Sequence, residues 1–210
     1  MFDPSSKETA HESGGVIKGM AVGIVTNNKD PEGLGRVRVR FPWLADDHES
    51  AWARLSTPMA GADRGLVLIP EVNDEVLIAF EREDVRFPVV LGALWNGKEK
   101  PPFGNSDGKN DKRMLKSRKK HVLLFDDGAR GVVELAHEKG RKITLDDDGF
   151  VVQDEKGNKV KVDSNSGAMT IEAVGQLKIK AASISIEATG TVEMKASATM
   201  TLRGSLVNIN

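Results

Sequence analysis

The sequence predicts an all-β chain: a small barrel in its first half and a winding, self-associating β-structure in its second. Three observations predict this. Val-, Ile- and Thr-rich runs recur with turn chemistry between them. Aromatics make up only 5% of the 210 residues, with no Tyr, while Gly reaches 21. From residue 168 onward, large apolar residues recur in pairs at a step of seven or eight positions.

The barrel is predicted over residues 15–96, after a flexible, polar arm at 1–14. Strand-like runs cover 16–26, 36–43, 51–56, 65–70, 75–81 and 88–95. Met20, Val22 and Ile24 alternate in the first, and Arg36, Arg38 and Arg40 alternate with Val37, Val39 and Phe41 in the second, so each strand has a wet and a dry side. Asp30-Pro31 and two glycines make the connection between them turn-rich. Five or six short strands in this length suit a small barrel of the OB type, which leaves no free sheet edge.

Residues 97–121 are polar, contain Gly and Pro, end in a basic cluster, and read as a linker. The needle is predicted over 122–210. Its first part has short strands at 122–125, 132–136, 142–145, 150–154 and 159–163, separated by Gly-containing tight turns. In its second part the pairs Met169 and Ile171, Leu177 and Ile179, Ile184 and Ile186, Val192 and Met194, Met200 and Leu202, and Val207 and Ile209 recur. A small residue stands two beyond each of the first five: Ala173, Ala181, Ala188, Ala196 and Gly204.

Each unit is thus a strand of about five residues with three inward positions, followed by a corner. The corners mostly lack the turn residues that reverse a chain, so the chain winds on as a β-helix. Six units wound by one chain make only about two coils, fewer than the roughly three a solenoid needs. Three identical chains wound together fill every backbone ladder and create a dry interior, so a homotrimer is predicted with these paired and small residues as its core.

The stretches Gly23–Trp43, Ala51–Leu55, Gly65–Glu81 and Pro88–Pro102, followed by the octads, resemble the central spikes of contractile injection machines. That family includes phage baseplate assembly protein V and the VgrG spikes of type VI secretion. The resemblance implies a non-enzymatic, trimeric spike that docks on a hub or tube end and pierces a membrane mechanically. Because few residues precede the barrel, it also implies a hub supplied by a separate protein. The ending SLVNIN lacks the histidine pair that holds iron at some spike tips, which implies a blunt end at Val207, Asn208, Ile209 and Asn210 covered by a PAAR-type tip protein. Effector cargo is a further expected partner, and no cofactor or metal is expected.

Composition and motifs bound the other classes. Charged residues are 29%, apolar residues 39% and the formal net charge is -1, so no global charge draws the chain to nucleic acid. Cysteine is absent, which excludes disulfides and thiolate chemistry. No signal-like or membrane-length apolar run occurs, so assembly in the cytoplasm and incorporation into a released or ejected particle is expected. His11, His48, His121 and His137 are far apart in sequence and read as surface or turn residues. The runs Asp126–Gly128 and Asp146–Gly149 read as turns, since neither continues into a calcium loop. Arg36, Arg38, Arg40 and Arg54 beside Phe41, Trp43 and Trp52 suit either acidic contacts in a hub or the groove of a single-strand nucleic-acid binder, the alternative function.

Overall fold

The computed structural model describes residues 17–44 and 49–209 and divides into two compact units, with the boundary between Lys109 and Asn110. The arm expected at 1–14, His11, His48 and Asn210 lie outside the described residues.

The first unit contains β1 (Met20–Asn27), β2 (Arg38–Arg40), β3 (Arg54–Leu55), β4 (Ala60–Gly61), β5 (Arg64–Gly65), β6 (Glu75–Phe80) and β7 (Pro88–Leu94). Alternation decides which way each strand faces. In β6, Val76, Ile78 and Phe80 are buried, while Glu75, Leu77 and Ala79 are half-exposed. The main sheet runs β2-β1-β6-β7-β3, antiparallel except for the β3–β7 pair.

Closure comes from the stretch that precedes β3. The Val37 amide donates to the Ala53 carbonyl at 3.0 Å, the Ala53 amide returns to Val37 at 2.7 Å, and the Ser50 amide donates to Val39 at 2.7 Å. These bonds join β2 to the chain entering β3, so the five strands close on themselves as an OB-type barrel. Val25, Val37, Val39, Phe41, Ala53, Val76, Ile78, Phe80 and Val90 fill it. Gly23 lies where a Cβ would meet Ile78 Cδ1 at 2.6 Å, so the β1 backbone itself packs on the core there.

Three expected strands shrink, and the run 36–43 keeps only the three residues of β2. The run 51–56 yields only the two residues of β3, and 66–70 form no strand. A closed barrel has no edge left for a sixth strand, so the chain leaves it after Ser56 and makes an excursion that holds only the small β4–β5 hairpin.

The second unit is one antiparallel meander: β8 (Lys112–Lys116), β9 (Val122–Asp126), β10 (Val132–Ala136), β11 (Lys142–Asp146), β12 (Gly149–Gln153), β13 (Lys159–Asp163) and β14 (Ala168–Glu172), in spatial order of sequence. β8 lies inside the stretch expected as a linker. It is a strand because the edge of β9 offers it a ladder, with Met114 opposite Leu124 and Leu115 opposite Leu123.

Over 122–172 the structure departs from a three-chain winding, since these strands pair by hairpins within one chain. The reason is local. The turns carry residues that reverse the backbone, and Gly149, at φ 142, closes a two-residue turn where a Cβ would fall 2.1 Å from the Val162 carbonyl oxygen. Met169 and Ile171, the first pair of the octad series, therefore belong to the hairpin sheet. Residues 173–209 contain no strand paired within the chain.

Candidate functional site

The registers of the second unit put apolar residues in two columns on one face of the sheet. Leu115, Leu123, Leu135, Ile143, Val152, Val160 and Ile171 form the first. Phe125, Val133, Leu145, Phe150, Val162 and Met169 form the second, with Arg113 opposite Phe125 at its edge. Period-two alternation puts them on one face, and the Gly-closed turns keep them in register. The face is open: Leu135 is 55% and Met169 64% exposed. Seven strands of uncovered apolar ladder are a surface built for contact.

The opposite face carries polar and ionic partners. Lys142 donates to Glu134 at 3.4 Å, Lys159 pairs with Glu172 at 3.0 Å and Lys161 with Asp163 at 3.3 Å. It also carries Met114, Val122, Leu124, Val132 and Val151, so it is mixed where the first face is apolar along both columns.

The acidic turns are spoken for. Arg130 reaches Asp146 at 3.0 Å and Asp148 at 2.6 Å, and Arg113 reaches Asp127 at 2.6 Å. The Ser166 amide and hydroxyl, with Lys161, hold the pKa of the Asp163 carboxyl down at about 2. Asp154 is lowered chiefly by the Asn158 side-chain amide. Among the described residues no group of three His, Asp or Glu side chains is arranged to hold a metal ion.

Two histidines that are distant in sequence meet. His121 and His137 flank the paired ends of β9 and β10, and their ring centroids lie 4.4 Å apart with the planes tilted by 38°. Cross-strand register, invisible without knowing the hairpin, is the signal that finds this pair.

Leu177, Ile179, Ile184, Ile186, Val192, Met194, Met200, Leu202, Val207 and Ile209 are all exposed, as are Ala173, Ala181, Ala188, Ala196, Gly204 and Asn208. One chain does not bring them together. The backbone of this segment is held at its start, where the Val174 amide donates to Asn158 Oδ1 at 2.8 Å.

In the barrel the three alternating arginines have different occupations. Arg36 donates to both carboxylate oxygens of Asp30 at 2.9 Å and reaches Glu32 at 3.0 Å, clasping the turn between β1 and β2. That guanidinium holds the Asp30 carboxyl well below the usual carboxylate range, and Asp30 raises Arg36 in return. Arg38 pairs with Glu49 at 3.0 Å and lies 5.0 Å from the centre of the Trp52 ring. Arg40 is exposed and has no ion pair among the described residues. Arg54 pairs with Glu81, so the open cleft of about 340 Å³ between Arg36, Trp52, Arg54 and Arg86 is lined by cations already bonded to carboxylates. A nucleic-acid groove needs the opposite, cations free for phosphate.

The family described as the type VI secretion system/phage-baseplate injector OB domain matches residues 21–95. The type VI secretion system spike protein VgrG2a of Pseudomonas aeruginosa is 34% identical over 115 residues, covering 50% of this chain and 14% of that protein. Spike protein VgrG1c of the same organism is 29% identical over 96 residues, covering 42% of this chain and 13% of the relative. The actin cross-linking toxin VgrG1 of Vibrio cholerae is 25% identical over 171 residues, covering 75% of this chain and 16% of the toxin. The chain therefore spans a small part of the length of each relative. The family match falls on the closed barrel, and the Vibrio match covers more of the chain than the barrel unit can supply, so it runs into the hairpin sheet. The likeness to VgrG spike proteins thus takes in the barrel, which matches the injector OB-domain family, and runs on into the second unit.

Proposed function

We propose that three copies of this chain assemble about one axis as the spike of a contractile injection machine. The observation that supports it is the pair of open apolar columns, continued by a segment at 173–209 whose apolar pairs have no partner in their own chain. Each large residue contributes on the order of 1.5 to 3 kcal/mol only when it enters a dry interior. Copies of the same face supply that interior. Beyond Glu172, strands from three chains stack in turn and fill each other's ladders, with Ala173, Ala181, Ala188, Ala196 and Gly204 where chains approach closely.

In this reading the barrel docks on a hub or tube end, with Arg40 the arginine left to face it. A PAAR-type protein covers the end at Val207–Asn210, and effector cargo rides on the spike. Sheath contraction drives the assembly into a target membrane, so the work is mechanical and its energy comes from elsewhere in the machine.

The test is the solution mass of the chain, before and after deletion of residues 168–210. A mass of three chains that falls to one on deletion, and falls likewise when Ala181 and Ala188 are both replaced by Leu, is expected. A soluble single copy with an ordered segment at 173–209 would end the proposal.

A further inference from the structure

The excursion between β3 and β6 carries an apolar ledge that the barrel does not use. Leu66, Val67, Leu68 and Ile69 follow one another without a polar side chain, and Val67 is 77% and Leu68 58% exposed. Neighbouring backbone is tied down: the Leu66 amide donates to Met59 at 3.0 Å, Thr57 Oγ1 donates to the Leu66 carbonyl at 2.7 Å, and Asn28 Nδ2 donates to the Pro70 carbonyl at 3.1 Å. Between these anchors the amides and carbonyls of Val67, Leu68 and Ile69 make no hydrogen bond among the described residues. Open backbone beside bare apolar side chains is the signature of a strand waiting for a neighbour.

Three properties identify that neighbour. No charge lies between Leu66 and Pro70, so the covering surface is itself apolar. With Met59 the ledge offers on the order of 500 Å². A free-standing interface needs about 800 Å² from each partner, so the ledge is too small to recruit a separate protein by itself. It is large enough to close a contact between molecules already held side by side, where tethering supplies the concentration.

We infer that residues 66–69 pack, with their backbone paired, against the barrel of a second copy of this chain. This rests on the trimer reading, in which the second unit brings the copies together. The ledge then makes the barrels a collar rather than three beads.

Hydrogen exchange of the full chain, with the mass measured on the same sample, tests it. A trimer in which the amides of Val67, Leu68 and Ile69 exchange at least about 100-fold more slowly than in an unstructured chain is expected. The chain has no Cys, so Val67→Cys creates a sole thiol, which should react with maleimide slowly in the trimer and rapidly once it is dissociated. A trimer whose 67–69 amides and introduced thiol are unprotected overturns the inference while leaving the trimer intact. Protection that persists in a chain of single-copy mass overturns it too, because the cover is then internal. Single-copy mass without protection removes both readings.

Discussion

The barrel and the hairpin sheet are both built from short alternating strands, yet only one of them is finished within a chain. Among the described residues the barrel buries an apolar core from Val25 to Val90, and the second unit buries no residue. The difference is closure. Val37 and Ala53 join the ends of the five-stranded sheet, so its inner face has no way out to water. The seven-stranded sheet has more strands and better turns, but an open ladder covers neither of its own faces. Regular strand pairing and a dry core are separate achievements, and the second needs either curvature or company.

The largest effect is expected from charging the open face. Replacing Leu135 and Ile143, which lie directly opposite each other, by Lys should reduce the sedimenting mass to that of one chain. Replacing Lys142 and Thr144 on the other face by Gln and Ser should leave it unchanged. If both pairs behave alike, the columns are not the interface.

A smaller and purely local effect is expected in the barrel. Ile78 is fully buried, and Ile78→Ala should cost about 2 to 5 kcal/mol of barrel stability by denaturant unfolding, with no change in oligomeric mass. A loss of assembly would show that the barrel is not energetically self-contained.

The smallest effect is expected on acidification, since each unit has a clasped carboxylate. Asp30 is held by Arg36, and Asp163 by Ser166 and Lys161. Both are depressed in the folded state, so their stabilisation is complete above the unfolded carboxylate value of about 3.9. It is lost as pH falls toward about 2 in the case of Asp163. Asp163→Asn should flatten the sheet's pH dependence between about 4 and 2, and Asp30→Asn the barrel's, each without affecting the other. Thermal unfolding of each unit's transition across that range is the measurement.

Much of this was readable in advance where one residue's neighbours in sequence are its neighbours in space. The hairpins at Asp127–Gly131 and Asp147–Gly149 announce themselves because reversal is a property of a few adjacent residues. β8 did not. Lys112–Lys116 is basic and poor in β-branched residues, and it becomes a strand only because β9 stands beside it. The run Gly65–Pro70 is the converse, strand-like in composition but without an edge to join. Arg36, Arg38 and Arg40 look equivalent in sequence, and only the folded turn and the approach of Glu49 separate two structural clasps from one exposed cation. His121 and His137 likewise meet only through register.

What the sequence alone determined is the all-β class, the alternation that gives each strand a dry side, the turns of the meander and the octad period beyond it. Each is a local or periodic property, fixed by backbone geometry and side-chain polarity. Tertiary structure decided which strands close, which arginines are occupied, which histidines touch and which apolar face remains open. Those depend on residues far apart in the chain arriving at one place, and no single stretch of sequence carries that information.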